Sequence, residues 1–515
     1  MGNAIELKNV TKTFGKTIAN KNVTLSIHEG EILSLLGENG SGKTTLMNML
    51  SGIYFPDSGE IFVGGKQVEI KSPKDAYELG IGMVHQHFKL VDVFNAVENI
   101  ALGFDKKRFG SFNLKRVRAR AEEICEKYGF DLNMDKKVYE MSVSQKQTLE
   151  IVKVLYRGAD FLILDEPTAV LTPQETEKLF AVIRNMKSDG KSVIIITHKL
   201  KEVLEISDRV AILRKGEFVG DIATKDATEN SLTEMMMGEK VELNIERSTP
   251  VNTMTRIDIS NLSVTDREGV KILDNISFKI NSGEILGIAG ISGNGQKELL
   301  ESIAGLQKTK PGSSIKFYAG NEGENEMQLI GMNPRTIRDA GIHLAFVPED
   351  RLGMGLVGSM GMDGNMMLKT YDSGKSFVTD RKLPKIQAER IRKRLGVVTP
   401  SLSTPVSRLS GGNVQKVLVG RELASNPTVL MTAYAVRGLD INTSYTIYKL
   451  LNEEKQKGVA VVYVGEELDV LLELCDRIVV LCGGKVSGIL DARNTTKEEV
   501  GLLMTSYGGG EVQEQ

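Results

Sequence analysis

The sequence predicts an α/β protein made of two tandem copies of one domain, each a sheet of buried, mostly parallel strands carrying a phosphate-loop position. Three observations predict it. Residues 37–44 read Gly37-Glu38-Asn39-Gly40-Ser41-Gly42-Lys43-Thr44, after an apolar run at 32–36 and before a helical stretch at 45–50. Residues 22–33 recur at 275–286, an offset of 253 (275 − 22), and residues 208–213 recur at 476–481, an offset of 268 (476 − 208). Short apolar runs such as 161–164 and 193–196 alternate with helical stretches, the pattern of strands buried on both faces.

The first loop has the strand, glycine turn and helix order that cradles a polyphosphate. Its glycines let backbone N–H groups wrap the phosphates, and the helix N-terminus adds a favourable field. Lys43 reaches the terminal phosphates and the Thr44 hydroxyl suits Mg²⁺; Thr45 completes the expected nucleotide-binding set.

The repeat sets the domain organisation. Copy one spans 1–242 and copy two spans 255–507. A polar linker at 243–254 carries Pro250, and a frayed tail occupies 508–515. The second copy is longer between the matched blocks by 15 residues (268 − 253). Each copy begins with alternating, β-like segments, 4–10 and 255–264. Each carries a charged helical stretch, 113–128 and 381–395.

Composition narrows the function classes. The chain has 515 residues, enough for two to four domains, with 41% hydrophobic and 26% charged residues. A net charge of −2 argues against a broad nucleic-acid face. No apolar run approaches the length of a membrane span, and the N-terminus lacks the pattern of a secretory signal. Cys125, Cys475 and Cys482 are too far apart for a metal cluster and read as reduced structural thiols; the five histidines show no metal spacing either.

Downstream of the first loop, an apolar strand at 161–164 ends on Asp165 and Glu166. After a phosphate loop, Asp165 is the natural outer partner of Mg²⁺ and Glu166 the group that polarises the attacking water. His198 ends the next strand, where it can contact the γ-phosphate. Gln86 follows the strand at 81–84 and can sense Mg²⁺ or water. Phe14 is positioned to stack on adenine. Taken alone, His198 is an ordinary strand-end residue and Phe14 an ordinary core aromatic; the upstream loop gives both their reading.

In this order, Phe14, the loop, Gln86, the segment at 141–145, Asp165-Glu166 and His198 resemble the ATPase subunits of ABC transporters, across nearly the whole chain. The resemblance implies, in each copy, a mostly parallel core sheet, an antiparallel β subdomain and a helical subdomain. It also implies an ATP site shared head to tail, between the phosphate loop of one copy and the signature loop of the other. Two fused ATPase halves look like the monosaccharide and nucleoside importer group. The segment Met83-Val84-His85-Gln86-His87-Phe88 is similar to its nucleoside branch, as are Gly293-Asn294-Gly295-Gln296 and Val347-Pro348-Glu349-Asp350-Arg351.

The two shared sites are unequal. Copy two keeps the signature as Leu409-Ser410-Gly411-Gly412-Asn413, whereas copy one has Met141-Ser142-Val143-Ser144-Gln145, with Cβ atoms where backbone should meet phosphate. In copy two's phosphate loop, Gly290, Gly293 and Gly295 remain, but Gln296 replaces Lys43 and Lys297 replaces Thr44. Ala433 and Tyr434 replace Asp165 and Glu166; Glu349 and Glu466 replace Gln86 and His198, adding negative charge where a triphosphate would sit. The expected competent site joins copy one's loop, Asp165, Glu166, Gln86 and His198 with Ser410, Gly411 and Gly412, and with the D-loop at 437–440. The other site is then empty, permanently nucleotide-bound or a structural hinge.

The resemblance implies an ATP- and Mg²⁺-using ATPase on the cytoplasmic face of a cell membrane, driving import, with nucleosides favoured. Its partners are two membrane permeases, contacted near residues 86–100, and an extracytoplasmic substrate-binding lipoprotein, with no nucleic acid. Two alternatives stand: a ribose- or galactose-type sugar importer ATPase, and a soluble tandem ABC protein acting on ribosomes. The short linker and the single intact site speak against the second.

Overall fold

The structure is a computed structural model that describes residues 3–15, 17–86, 88–102, 113–169, 171–238, 245–250, 253–266, 268–291, 293–320, 325–369, 371 and 381–505. The chain divides into two units, Met1–Glu242 and Leu243–Gln515. His87, the proposed tail at 508–515 and linker residues 243, 244, 251 and 252 lie outside the described residues.

In the first unit a six-stranded sheet runs in the order Glu217–Ala223, Arg209–Arg214, Ile32–Leu36, Ser192–Thr197, Phe161–Asp165, Ile81–Val84. All neighbours are parallel except the edge pair formed by Glu217–Ala223 and Arg209–Arg214. Successive side chains on a strand point to opposite faces, so each apolar strand feeds two cores. Leu33, Leu35, Ile194 and Ile196 face one way, onto helix Lys43–Leu50 and a four-stranded antiparallel sheet built around Asn3–Phe14 and Thr17–His28. Ile32, Leu164, Val193 and Ile195 face the other way, onto helices Val143–Tyr156 and Pro173–Ser188. A third core, with Val97, Ile100, Val117, Ala121 and Val152, holds the helices Ala96–Ala101, Leu114–Tyr128 and Val143–Tyr156 together.

The second unit repeats this plan. Its six-stranded sheet runs Leu344–Val347, Val429–Ala433, Ala460–Val464, Ile285–Gly290, Arg477–Cys482, Lys485–Asp491, and only the last pair is antiparallel. Four antiparallel strands again include the unit's first two, Thr255–Thr265 and Lys271–Asn281. Part of the stretch read as a linker is bonded to this unit: Ile245 packs on its core, and Arg247 donates to Leu472 O at 3.0 Å. Cys125, Cys475 and Cys482 are free and buried.

Parallel register places the chemistry. Leu36 pairs with Thr197, Ile196 with Asp165, and Leu164 with Val84. The segments leaving these strands, with the glycine loop, His198, Glu166 and Gln86, therefore emerge side by side at the carboxyl edge of one sheet, where α/β folds bind ligands.

Asn99, inside the segment read as a permease contact, is fully buried. Its Oδ1 accepts from Val91 N at 2.8 Å and its Nδ2 donates to Val91 O at 3.1 Å. Asn99 is thus an internal tie. Asn365 does the same in the second unit, accepting from Val357 N at 2.9 Å.

Candidate active site

Residues 37–42 turn sharply because only glycine fits at two of their corners. A Cβ on Gly37 would lie 2.2 Å from Leu213 O and 2.5 Å from Ser41 Oγ. Gly42 has φ 95° and is the N-cap of helix Lys43–Leu50, and a Cβ there would lie 2.3 Å from Ala19 O. Asn20, a residue the sequence reading missed, donates to Gly42 O at 3.2 Å and braces the turn from the antiparallel sheet. No spacing rule links position 20 to 42, so only the fold reveals it.

Lys43 lies in this cradle, its ammonium donating to Gly37 O at 2.6 Å and Glu38 O at 2.9 Å. Burial pulls its pKa below the ordinary lysine value, against the raising effect of Glu166, Asp165 and Glu38. The ammonium is thus held by carbonyls and near carboxylates in a place where an anionic phosphate is a better partner.

Thr44 Oγ1 faces Asp165, 3.4 Å from Oδ1 and 3.3 Å from Oδ2. The Asp165 carboxyl is pushed up to about 6, first by burial and then by the adjacent Glu166 charge. A hydroxyl and a buried, under-compensated carboxylate at this separation form a hard-oxygen pair that fits a divalent cation.

Glu166 has φ 48°, a left-handed conformation that costs a non-glycine residue about 1–2 kcal/mol. Its N–H bonds Ile196 O at 2.8 Å. The turn directs its carboxylate between Gln86 Nε2, at 3.2 Å, and His198 Nδ1, at 3.0 Å. The hydrogen bond to His198 is the main force holding Glu166 below the usual glutamate range, against burial. Gln86, Asp165, Glu166, His198, Lys43 and Thr44 are thus brought together. Phe14 is apart from this network: it ends its strand 43% exposed, edge-on to Tyr54 at 5.2 Å, so its surface is open to stacking rather than built into a core.

The second unit copies the backbone and not the chemistry. Gly295 is again a left-handed N-cap, φ 98°, for helix Gln296–Ile303. Gln296 folds back to Ile291 O at 3.0 Å, imitating Lys43 without its charge. Lys297 points down its helix to Glu301, 3.8 Å away. Tyr434 keeps the left-handed turn, φ 50°, and bonds Val464 O through its N–H at 2.9 Å, as Glu166 does at Ile196. The repulsion expected from Glu349 and Glu466 is offset within the unit: Arg437 reaches Glu349 with Nη1 at 2.5 Å and Glu466 with Nε at 3.2 Å.

The signature loops also differ in a way the sequence only half reveals. Ser142 caps helix Val143–Tyr156 reciprocally: its Oγ accepts from Gln145 N at 3.2 Å, and Gln145 Oε1 accepts from Ser142 N at 3.2 Å. Those helix-end donors are already occupied. Ser410, at the N-cap of helix Gly411–Leu423, makes no such cap; its Oγ accepts from Asn413 Nδ2 at 2.9 Å. That leaves the first N–H groups of the helix, and the Ser410 hydroxyl proton, for an anion.

No helix among the described residues is long and apolar enough to cross a membrane. Comparison with known proteins agrees with this architecture. The ABC transporter family model matches residues 20–169 and 273–432. The guanosine import ATP-binding protein NupO of Bacillus subtilis is 40% identical over 504 residues, covering 97% of each chain. The nucleoside import ATP-binding protein NupA of Lactococcus lactis subsp. cremoris is 39% identical over 513 residues, covering 99% of each. The ribose import ATP-binding protein RbsA of Clostridium tetani is 35% identical, covering 96% of each. With two family matches in one polypeptide and the nucleotide-loop fold in both units, the chain belongs to the ABC transporter family of ATP-binding ATPases.

Proposed function

We propose that this chain is the energising ATPase subunit of a bacterial nucleoside importer and hydrolyses ATP at one of two potential sites. The observation that carries the one-site reading is the contrast between Glu166, held ionised between Gln86 and His198, and Tyr434, which stands on the same backbone turn with no carboxylate. The competent site is composite. The first unit gives Phe14, the loop from Gly37 to Thr45, Gln86, Asp165, Glu166 and His198; the second gives Ser410, Gly411 and Gly412. The complementary losses support it, because the degraded loop Gly290, Gly293, Gly295, Gln296, Lys297 and the self-capped Ser142 fall in the same second site.

The geometry supports the following roles. The loop N–H groups and Lys43 bind the phosphates, and the Ser410 helix end closes over the γ-phosphate. Glu166, kept ionised by His198, accepts a proton from the attacking water, while Gln86 and His198 fix its direction. Mg²⁺, held by Thr44 and Asp165 with Gln86 nearby, would neutralise charge on the β- and γ-phosphates.

The chain works on the cytoplasmic face of the membrane with two permeases and a substrate-binding lipoprotein. Val91, Val93 and Leu102 are exposed apolar residues in and beside the segment proposed to meet a permease, and Val93 is 65% exposed. In the second unit, a cavity of about 660 Å³ lined by Arg335, Arg338, Phe346, Met366, Lys369 and Arg421 is the seat proposed for the other permease. Nucleosides as cargo rest on the names of the two relatives near 40% identity. Uptake of labelled nucleosides and sugars by a strain lacking this chain tests the reading. Lost nucleoside uptake with sugar uptake intact is expected; lost ribose or galactose uptake alone would move the assignment to sugars.

A further inference from the structure

We propose that Arg437 is a positioning residue for ATP hydrolysis: a resident cation that ties Glu349 to Glu466 and so fixes the second unit's D-loop and signature turn without nucleotide or metal. The proposal rests on the composite-site reading above.

The second unit inverts the charge pattern of the first. In the first unit an anion, Glu166, sits at the centre and accepts from Gln86 and His198 on either side. In the second, the two flanking positions are acidic and the centre is the guanidinium of Arg437, which lies 6.0 Å from the Tyr434 ring. Three residues after Glu166, the first unit has Ala169, so it has no counterpart to this clamp. Arginine suits the task because its planar fork presents Nη1 and Nε in different directions, one to each carboxylate.

The clamp is coupled to the elements that the second unit would lend to the competent site. Arg437 O accepts from Arg351 Nη2. Arg351 also lies against the signature turn, its Nη1 being 3.3 Å from where a Cβ on Gly411 would stand. Asp440, at the far end of the D-loop, caps helix Ile441–Gln456 through Thr443 N at 2.8 Å. Its Oδ2 lies 3.3 Å from the Cβ position of Gly412. Both signature glycines therefore lie against side chains of one hydrogen-bonded cluster, Arg351 bonded to Arg437 O and Asp440 bonded to Thr443 N, with Arg437 at its root. Arg437 is half exposed, and such ion pairs contribute little to global stability. The clamp acts on local geometry, where a displacement on the order of 1 Å can cost up to about 100-fold in rate.

The test uses the full chain assembled with its membrane partners. Arg437→Ala is expected to lower kcat for ATP on the order of 10-fold, with KM within about two-fold and an unchanged melting temperature. Arg437→Lys, a point charge that holds one carboxylate, should fall between, and it keeps the test informative if the alanine variant fails to fold. Ser410→Arg, which blocks the signature helix end, serves as the reference and should be inactive. Full activity of Arg437→Ala beside an inactive Ser410→Arg overturns the clamp and leaves the composite site standing. A loss confined to KM overturns the clamp as well. Rescue of Arg437→Ala by Glu349→Gln with Glu466→Gln does so too, since it reduces Arg437 to charge balance. An active Ser410→Arg overturns the composite site, and the clamp with it.

Discussion

Replacing Glu166 with glutamine isolates the step assigned to the carboxylate. The side chain keeps its length and its left-handed backbone, so the loop that binds phosphate is untouched. One oxygen becomes an amide that can only donate. It then faces either Gln86 Nε2, now 3.2 Å away, or His198 Nδ1, now 3.0 Å away, both of which serve the carboxylate as donors or as an ion-pair partner. Hydrogen bonds to a charged group contribute about 1.5–3 kcal/mol each, so the local network loosens. Loss of a positioned transition-state group costs on the order of 100- to 1,000-fold in turnover, about 2.7–4 kcal/mol. On the proposed assignment of Lys43, Thr44 and the loop to phosphate binding, nucleotide affinity should stay within about ten-fold. Steady-state phosphate release and equilibrium binding of a fluorescent ATP analogue separate the two quantities. Turnover within ten-fold of the parent, or binding lost in step with turnover, would refute the role given to Glu166.

Three further outcomes follow from buried charge. Asp165 titrates near 6 and must be ionised to hold a cation, so Mg²⁺ dependence of ATP binding should weaken as pH falls through 6. Because its folded pKa lies above its ordinary 3.8, the metal-free protein should gain stability as pH drops from about 6 toward 3.8; melting curves across that window check the sign, and a flat profile contradicts it. Lys455, 1% exposed, pairs with buried Asp476 at 2.8 Å and also bonds Ser248 O, so Lys455→Met should cost roughly 3–5 kcal/mol in denaturant unfolding; a cost under about 1 kcal/mol contradicts that account.

Much of this architecture is legible in the sequence because its signals are local. The run at 32–36 is a strand, Ile32–Leu36, and the stretch at 113–128 holds helix Leu114–Tyr128, since apolar periodicity reports burial directly. The glycine loop is readable because its spacing encodes its turn. What escaped depends on residues distant in sequence. Arg437 meets Glu349 across 88 positions, and its presence turns an expected repulsion into a paired cluster. Asn99 lies in the segment read as a permease contact, yet it is fully buried and its side chain makes three bonds to backbone. Ser142 and Ser410 both stand at helix N-caps, but Ser142 accepts from the backbone N–H of Gln145 and Ser410 from the side-chain Nδ2 of Asn413, a contrast that only the folded loops display.

The central claim is that one phosphate loop of two drives hydrolysis. ATPase activity of the membrane-assembled complex carrying Lys43→Ala, measured beside the same complex carrying Gln296→Ala, tests it most directly. The account predicts that Lys43→Ala abolishes turnover while Gln296→Ala keeps most of it. Equal loss from the two substitutions would contradict the account.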